Sequence, residues 1–460
     1  MTIELSNITF TDQDNIVPLS GVEQILNTGV TNTFMGNDRI TGTNGSDLDT
    51  GFENVGTLNT DDGNDTITGI GNPVHLFGPI YFPGAFLNSG TLNTGEGNDV
   101  IIGDGKTGFR NNGTFYTADG DDSIMGKGII QGMVNHSTFD TGDGNDRITG
   151  IGANPSYDNL PYGNGIVNFS FSSEVSFINT GDGNDTIEGT GNTAIFNDGT
   201  INTGNGEDMI IANAEGFDLN RVGLFNSSII NTGSGKDIII ANGGSFYLGS
   251  ALFNASLIDT GDGDDIINCQ NRIENIGNID TGNGDDSIIA YNLGALYLAA
   301  IRNLKVIETG YGNDTITSTG VIYNEGIINT GNGDDSIIVD ALGTGYGLYN
   351  NGGTINMGDG NDSIIANEGF ESGPNSSGAW FLGEGDDYIK GYGSGDFYGG
   401  NGNDTLELTP ETYTVGIWDT SLIFTKGNQF MITSEFEKLK AGSTIYNFTS
   451  LTAGQIITVT

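Results

Sequence analysis

The chain has little cysteine, histidine, proline or positive charge. Among 460 residues there is one cysteine, Cys269, and there are two histidines and eight prolines; 14 Lys and Arg stand against 59 Asp and Glu, a formal charge of −45. One cysteine excludes an internal disulfide, which fits an extracellular protein that uses metal instead and fits a cytosolic one nearly as well. The acidic excess makes nucleic acid and anionic membrane poor partners and calls for cations. No apolar run reaches 18 residues, so no membrane insertion is expected. The start, MTIELSNITFTDQDN, has neither the basic opening nor the apolar core of a secretory signal peptide. Sustained helical periodicity is also missing between residues 60 and 404.

What the chain does have is glycine, 77 residues of it, and repetition. NSGTLNTGEGNDVI from Asn88, NHSTFDTGDGNDRI from Asn135 and NEGIINTGNGDDSI from Asn324 are variants of one unit. Fourteen turns follow the form T-G-x-G-x-D. Their final acids are Asp65, Asp99, Asp122, Asp146, Asp185, Asp208, Asp237, Asp265, Asp286, Asp314, Asp335, Asp362, Asp387 and Asp404. A truncated MGND ending at Asp38 reads as a degenerate first copy.

Aligned on the turn, the units keep register. Two residues after the Asp stands Ile in 13 copies and Leu406 in the last. Two residues before the turn stands an apolar residue or Trp380, and six before it stands Asn in 11 copies, from Asn54 to Asn351, with Glu174, Ser376 and Gly393 as exceptions. Apolar positions two apart, rich in β-branched Ile, indicate strands. A unit this short cannot bury its apolar face alone and must stack on its neighbours. The expected fold is all-β: a right-handed parallel β-helix of about 14 coils with small β caps, carrying internal ladders of Ile and of Asn. Coils average about 26 residues, and the variation falls in the connections, of which 72–84 and 153–165 are the longest and most aromatic. Such loops either bind a ligand or pack on themselves.

Stacking the turns places the acids in a column. Two unit charges about 4.8 Å apart repel by roughly 1 kcal/mol in water, and several-fold more at an effective dielectric near 20. Second acids such as Asp143, Asp182, Asp262, Asp285 and Asp334 add to the repulsion. A divalent cation between turns would remove it. Ca²⁺ accepts six to eight carboxylate and carbonyl oxygens in tolerant geometry, whereas Mg²⁺ demands a tighter octahedron. The repeats offer no His or Cys set for zinc. All 14 aspartates are therefore candidate metal ligands, with plain Asx turns on a solvated edge as the alternative.

TGDGND followed by x-I-x resembles the G-G-x-G-x-D-x-U-x nonapeptide of the RTX, or hemolysin-type calcium-binding, family. Residues 399–406, GGNGNDTL, match it fully; the other units replace the first Gly, mostly with Thr, and Asp61 and Ala118 replace the second. The resemblance implies that each Asp binds Ca²⁺ together with turn carbonyls, the ion bridging successive turns. RTX β-rolls carry two nonapeptides per coil of about 18 residues. One nonapeptide in a coil of about 26 implies a single calcium column and a wider, three-sided helix. About thirteen such ions would bring the charge from −45 to about −19 and couple folding to calcium.

The expected organisation is an N-terminal cap with the degenerate repeat over 1–50, the repeats over 51–408, and a C-terminal β cap over 409–460. Ile3, Leu5, Ile8 and Phe10 suggest a strand in the first. The last is similar to the C-terminal region of RTX proteins through EFEKL at 435–439, which implies an uncleaved type I secretion signal.

Three functions compete. A secreted structural protein of the cell surface or matrix fits the regular stack, and open coil ends would allow head-to-tail self-assembly into filaments. A calcium-dependent adhesin would bind a surface or polysaccharide through the long loops. A polysaccharide lyase or epimerase would need a base and uronate-binding cations, yet His75 and His136 lie in different coils and Arg110, Arg147, Arg221, Arg272 and Arg302 are scattered. No catalytic residue is assigned, and the expectation is a non-enzymatic extracellular protein. A cytolytic toxin would need a long apolar or amphipathic helical region that is not there. An ice-binding face would need Thr-x-Thr repeated coil after coil; it occurs at Thr66 with Thr68 and at Thr315 with Thr317, but most coils lack it.

Overall fold

The computed structural model describes residues 2–18, 23–44, 50–72, 84–152, 163–170, 175–215, 221–243, 249–291, 299–341, 343, 345–373 and 378–460. His75 and nearly all of the 72–84 and 153–165 loops lie outside them. Residues 1–244 and 245–460 form two compact units, each built as a parallel β-helix. Apart from two 3-10 turns, Leu5–Asn7 and Phe448–Ser450, the described residues contain only strands and turns.

Most coils contribute a strand before the turn, a strand after it and a third that ends on the Asn ladder; in two coils the last two are continuous, as Val100–Asn111 and Ser123–Asn135. In residues 1–244 the strand after the turn stacks Ile40 on Ile67, Ile101, Ile124, Ile148, Ile187, Ile210 and Ile239 in parallel register. The strand before the turn stacks Leu58, Leu92, Phe115, Phe139, Ile178, Ile201 and Ile230. All these side chains are fully buried. The third strand ends on the Asn ladder and adds a run of rings, with Phe52–Phe86 and Phe86–Phe109 centroids 4.6 and 4.8 Å apart. That spacing is the strand separation itself, so identical aromatics one coil apart stack without adjustment. Residues 245–460 repeat the scheme, from Ile267 to Leu406 after the turn and from Ile258 to Phe397 before it.

The Asn ladder forms as expected: each Nδ2 donates to the next Oδ1 at 2.8–3.0 Å, from Asn27 to Asn226 in the first unit and from Asn254 to Asn350 in the second. The same amide also donates to the pre-turn strand of the following coil, as Asn54 does to the Thr91 carbonyl at 2.8 Å. Two members differ from the alignment. Asn168, not residue 174, stands between Asn135 and Asn197. Asn350, not Asn351, follows Asn324, because Gly352 at φ +77° absorbs one extra residue before the next strand.

The ends differ in construction. The N-terminal strand covers only Thr2–Glu4, and Leu5 turns into the core from a 3-10 turn, so the longer strand suggested by Ile3 to Phe10 does not form. Stacking already begins there, with Thr2–Glu4 parallel to Gln24–Leu26. At the C-terminus, Gln429–Ser434 and Lys438–Ala441 continue the last coil in parallel. They carry antiparallel partners, Ser421–Lys426 and Thr444–Asn447, which make the hairpins that the alternation suggested.

Candidate metal centre

The turns are held by glycine for a steric reason that recurs in every coil. The second and fourth turn residues have positive φ, +98° at Gly204 and +151° at Gly206. A Cβ on either would lie 1.7 Å from the carbonyl oxygen of Gly181 or Gly183 in the coil below. The turn carbonyls therefore point along the stack, toward the next turn. Phe34, Asp61 and Ala118 occupy the second position at φ +60° to +65°, a conformation that L-residues avoid.

The Thr that replaces the first glycine of the nonapeptide points inward and is buried. In most coils its hydroxyl donates to the equivalent Thr carbonyl one coil on, as Thr60 Oγ1 does to Thr94 at 3.0 Å and Thr309 to Thr330 at 3.1 Å; the Oγ1 atoms of Thr94 and Thr141 do not. Substituting Thr for Gly thus adds a ladder to the turn.

The final aspartates stack directly. The N–H of Asp38 donates to Oδ1 of Asp65 at 2.7 Å, and the pattern runs through Asp99, Asp122, Asp146, Asp185 and Asp208 to Asp237 at 2.7–2.8 Å. In the second unit it runs from Asp265 through Asp286, Asp314, Asp335 and Asp362 to Asp387 and Asp404 at 2.8–2.9 Å. These residues are at most 2% exposed. Oδ2 is buried without a hydrogen-bond partner in Asp38, Asp65, Asp99, Asp122, Asp146, Asp185 and Asp208, and in Asp286, Asp314, Asp335, Asp362, Asp387 and Asp404.

The outer acids have a different part. The fifth turn residue, Asn or Asp in most coils, is exposed and accepts the N–H of its equivalent one coil on. Asp285 receives Asn313 and Asp334 receives Asn361, both at 2.7 Å. This ladder runs opposite in sense to that of the final aspartates, so each turn is tied to both neighbours by side-chain oxygens.

Burial dominates the electrostatics of the column. It raises the carboxyl pKa to about 7 at Asp65, Asp99, Asp146 and Asp185, to about 8 at Asp122 and Asp286, and to about 6 at Asp314 and Asp335. Nearby acids push Asp65 and Asp286 further up, and the N–H of the aspartate one coil back, Asp38 or Asp265, draws them part of the way down. Charged and without a counter-charge, such a buried carboxylate carries a desolvation penalty of several kcal/mol.

A cation is the direct remedy. Among the described residues no three His, Cys, Asp or Glu side chains converge to hold a metal. An ion here would have to be held by the free Oδ2 atoms together with main-chain oxygens of the turns. That all-oxygen set suits a hard cation of high coordination number and fits Ca²⁺.

The remaining candidates are tied into structure. His136 lies between the Phe169 carbonyl, 2.8 Å from Nδ1, and Arg110, 3.1 Å from Nε2; burial and that guanidinium lower its pKa. Arg272 and Arg302, scattered in sequence, meet on Glu274, and Arg147 pairs with Glu188. Thr68 lies in register with Thr41 and Ile102, and Thr317 with Ile289 and Ile338, so the Thr pairs do not extend into an array.

Sequence reasoning missed both ends of the column. Asn15 precedes Asp38 and donates to its Oδ1 through N–H and Nδ2, at 2.7 and 2.8 Å. Glu437 follows Asp404 and accepts its N–H through Oε2 at 2.8 Å. Neither sits in a glycine turn, and the EFEKL stretch that holds Glu437 reads as a secretion signal and not as part of the column.

No protein-family model and no curated protein matches the chain. Among solved structures it is similar to a hyperactive, Ca²⁺-dependent, β-helical antifreeze protein from an Antarctic bacterium, at 20% identity over 79% of this chain and 82% of that one, with a TM-score of 0.41.

Proposed function

We propose that this chain is a secreted calcium-binding structural protein of the cell surface or extracellular matrix, a β-helix whose folding is driven by Ca²⁺ held along its aspartate column. The observation that carries this reading is the set of buried Oδ2 atoms with no partner, one per turn in thirteen turns. A column of like charges with no counter-charge opposes stacking, and a divalent cation that binds only the stacked state stabilises it by linkage. The resemblance of the turns to RTX repeats agrees with calcium and with export. The chain acts as a scaffold and not as an enzyme: its one described histidine and its paired arginines hold neighbouring coils together. Its partners are further copies of itself, joined head to tail, and cell-surface polysaccharide.

The test is calcium titration of the purified chain, followed by circular dichroism and bound-ion counting, with electron microscopy of the product. Cooperative gain of β signal with several ions bound is expected, and ordered polymers if it self-assembles. An unchanged fold in chelator with no calcium bound would overturn the reading.

A further inference from the structure

We infer that Glu437 is the closing ligand of the aspartate column: with Asp404 it makes a final divalent-cation site, and an ion there fastens the C-terminal cap to the last coil. This rests on the calcium reading above and adds a site outside every T-G-x-G-x-D turn.

Residues 435–439 reproduce the end of a turn without its glycines. Glu437 Oε2 takes the Asp404 N–H at 2.8 Å, as each Asp Oδ1 takes the N–H of the Asp before it. The Lys438 N–H donates to the Asp404 carbonyl at 2.9 Å, as the Thr405 N–H does to Asp387 at 2.8 Å. Leu439 then stands two residues after the acid and in register with Leu406, where the repeats place Ile. The segment is therefore one more step of the column, delivered by the cap, and the longer Glu side chain reaches the position that a glycine turn supplies elsewhere.

The step is left open electrostatically. Asp404 is fully buried and its Oδ2 has no hydrogen-bond partner. Glu437 forms no ion pair among the described residues, and Lys390 and Lys440 on the adjoining strands pair with Glu407. The column in residues 1–244 begins differently, on Asn15, whose amide hydrogens already meet Asp38 Oδ1. An amide start needs no ion. A start or end on a second carboxylate does, because two acids one strand apart repel unless a cation lies between them. Without calcium that repulsion loosens the strands Gln429–Ser434 and Lys438–Ala441, which join the cap to the last coil.

The experiment uses the full chain, as wild type, Glu437→Gln and Asp286→Asn. Gln keeps an oxygen for the Asp404 N–H and removes the charge. Bound calcium is counted by native mass spectrometry, and hydrogen exchange is followed over residues 429–447 with calcium and with chelator. The expected result is that E437Q holds one calcium fewer than wild type, and that calcium slows exchange of its cap amides less than it slows those of wild type. Equal ion counts and equal calcium dependence of the cap in E437Q and wild type, with D286N losing an ion, would overturn the proposal and leave the calcium column standing. No ion bound by any of the three would remove both.

Discussion

Asp286 donates its N–H to Oδ1 of Asp314 at 2.8 Å, and the Oδ2 atoms of both are buried with no partner. One carboxylate oxygen is thus committed to stacking while the other is left for a cation. The two jobs separate in Asp286→Asn, which keeps an oxygen for the Asp265 N–H and loses the charge. In chelator the variant should be more stable than wild type, since a buried charge is gone. In calcium it should be weaker-binding by about tenfold, or about 1.4 kcal/mol, at the adjoining sites. Thermal melts under both conditions check the reversal of sign; a loss of stability in both would mean that the carboxylate serves the fold alone.

The raised pKa values predict an unusual pH response for the metal-free chain. An acid at 3.8 when unfolded and about 7 when folded, as at Asp65, binds its proton more tightly in the folded state. The folded state therefore holds more protons between these values, and stability falls as pH rises through them. With folded values from about 6 at Asp314 to about 8 at Asp122, the fall should be complete above about 8. Melting in chelator should give a higher midpoint at pH 5 than at pH 8, and calcium should remove the decline. A metal-free midpoint that rises with pH would contradict the burial of these groups as charged species.

The turn glycines predict a contrast between two small substitutions. Gly204→Ala puts a methyl 1.7 Å from the Gly181 oxygen at φ +98°, so the turn must open; a loss of about 3 kcal/mol or more is expected, together with weaker calcium binding. Ala118→Gly works in the other direction. Alanine already sits at φ +62°, and its relief of about 1–2 kcal/mol exceeds the entropic cost of glycine of about 0.4–1 kcal/mol. Denaturant unfolding in calcium should show the first variant destabilised and the second modestly stabilised.

The Asn ladder shows what could be read from the residues and what could not. The Ile positions after each turn are fixed by two covalent steps from the Asp, so the sequence determines their stacking. The ladder Asn lies across a connecting bend, and a bend can absorb a residue. Gly352 does so, and the ladder passes through Asn350 where the spacing pointed to Asn351. Asn168 likewise stands where the spacing pointed to residue 174. The place of Asn15 and Glu437 in the column could not be read from the turn motif, because only stacking brings them there. Asn350→Ala should remove the acceptor of Asn324 Nδ2 and a bond to the Ala379 carbonyl, for a loss of about 2–3 kcal/mol. Asn351→Ala loses only partly exposed bonds to Tyr323 and Glu325 and should cost under about 1 kcal/mol. Equal effects in unfolding experiments would place the ladder in the wrong residue.

Cys269 offers a reporter built into the column's own strand. It lies on Ile266–Gln270, directly after the Asp265 turn and in register with Ala290, and it is fully buried. Burial also holds the thiol in its neutral form by raising its pKa. Only opening of the coil can expose the thiolate that reacts with an aromatic disulfide. If calcium stabilises the folded coil, labelling at pH 8 should come closer to an unfolded control in chelator than in calcium. In calcium it should be slowed by about a thousandfold or more, equivalent to a local opening free energy of about 4 kcal/mol. Because the reagent reads this one coil, its calcium midpoint should coincide with that of the circular dichroism change if residues 245–460 fold as a unit. A midpoint at lower calcium would mean that the coils around Cys269 close before the rest.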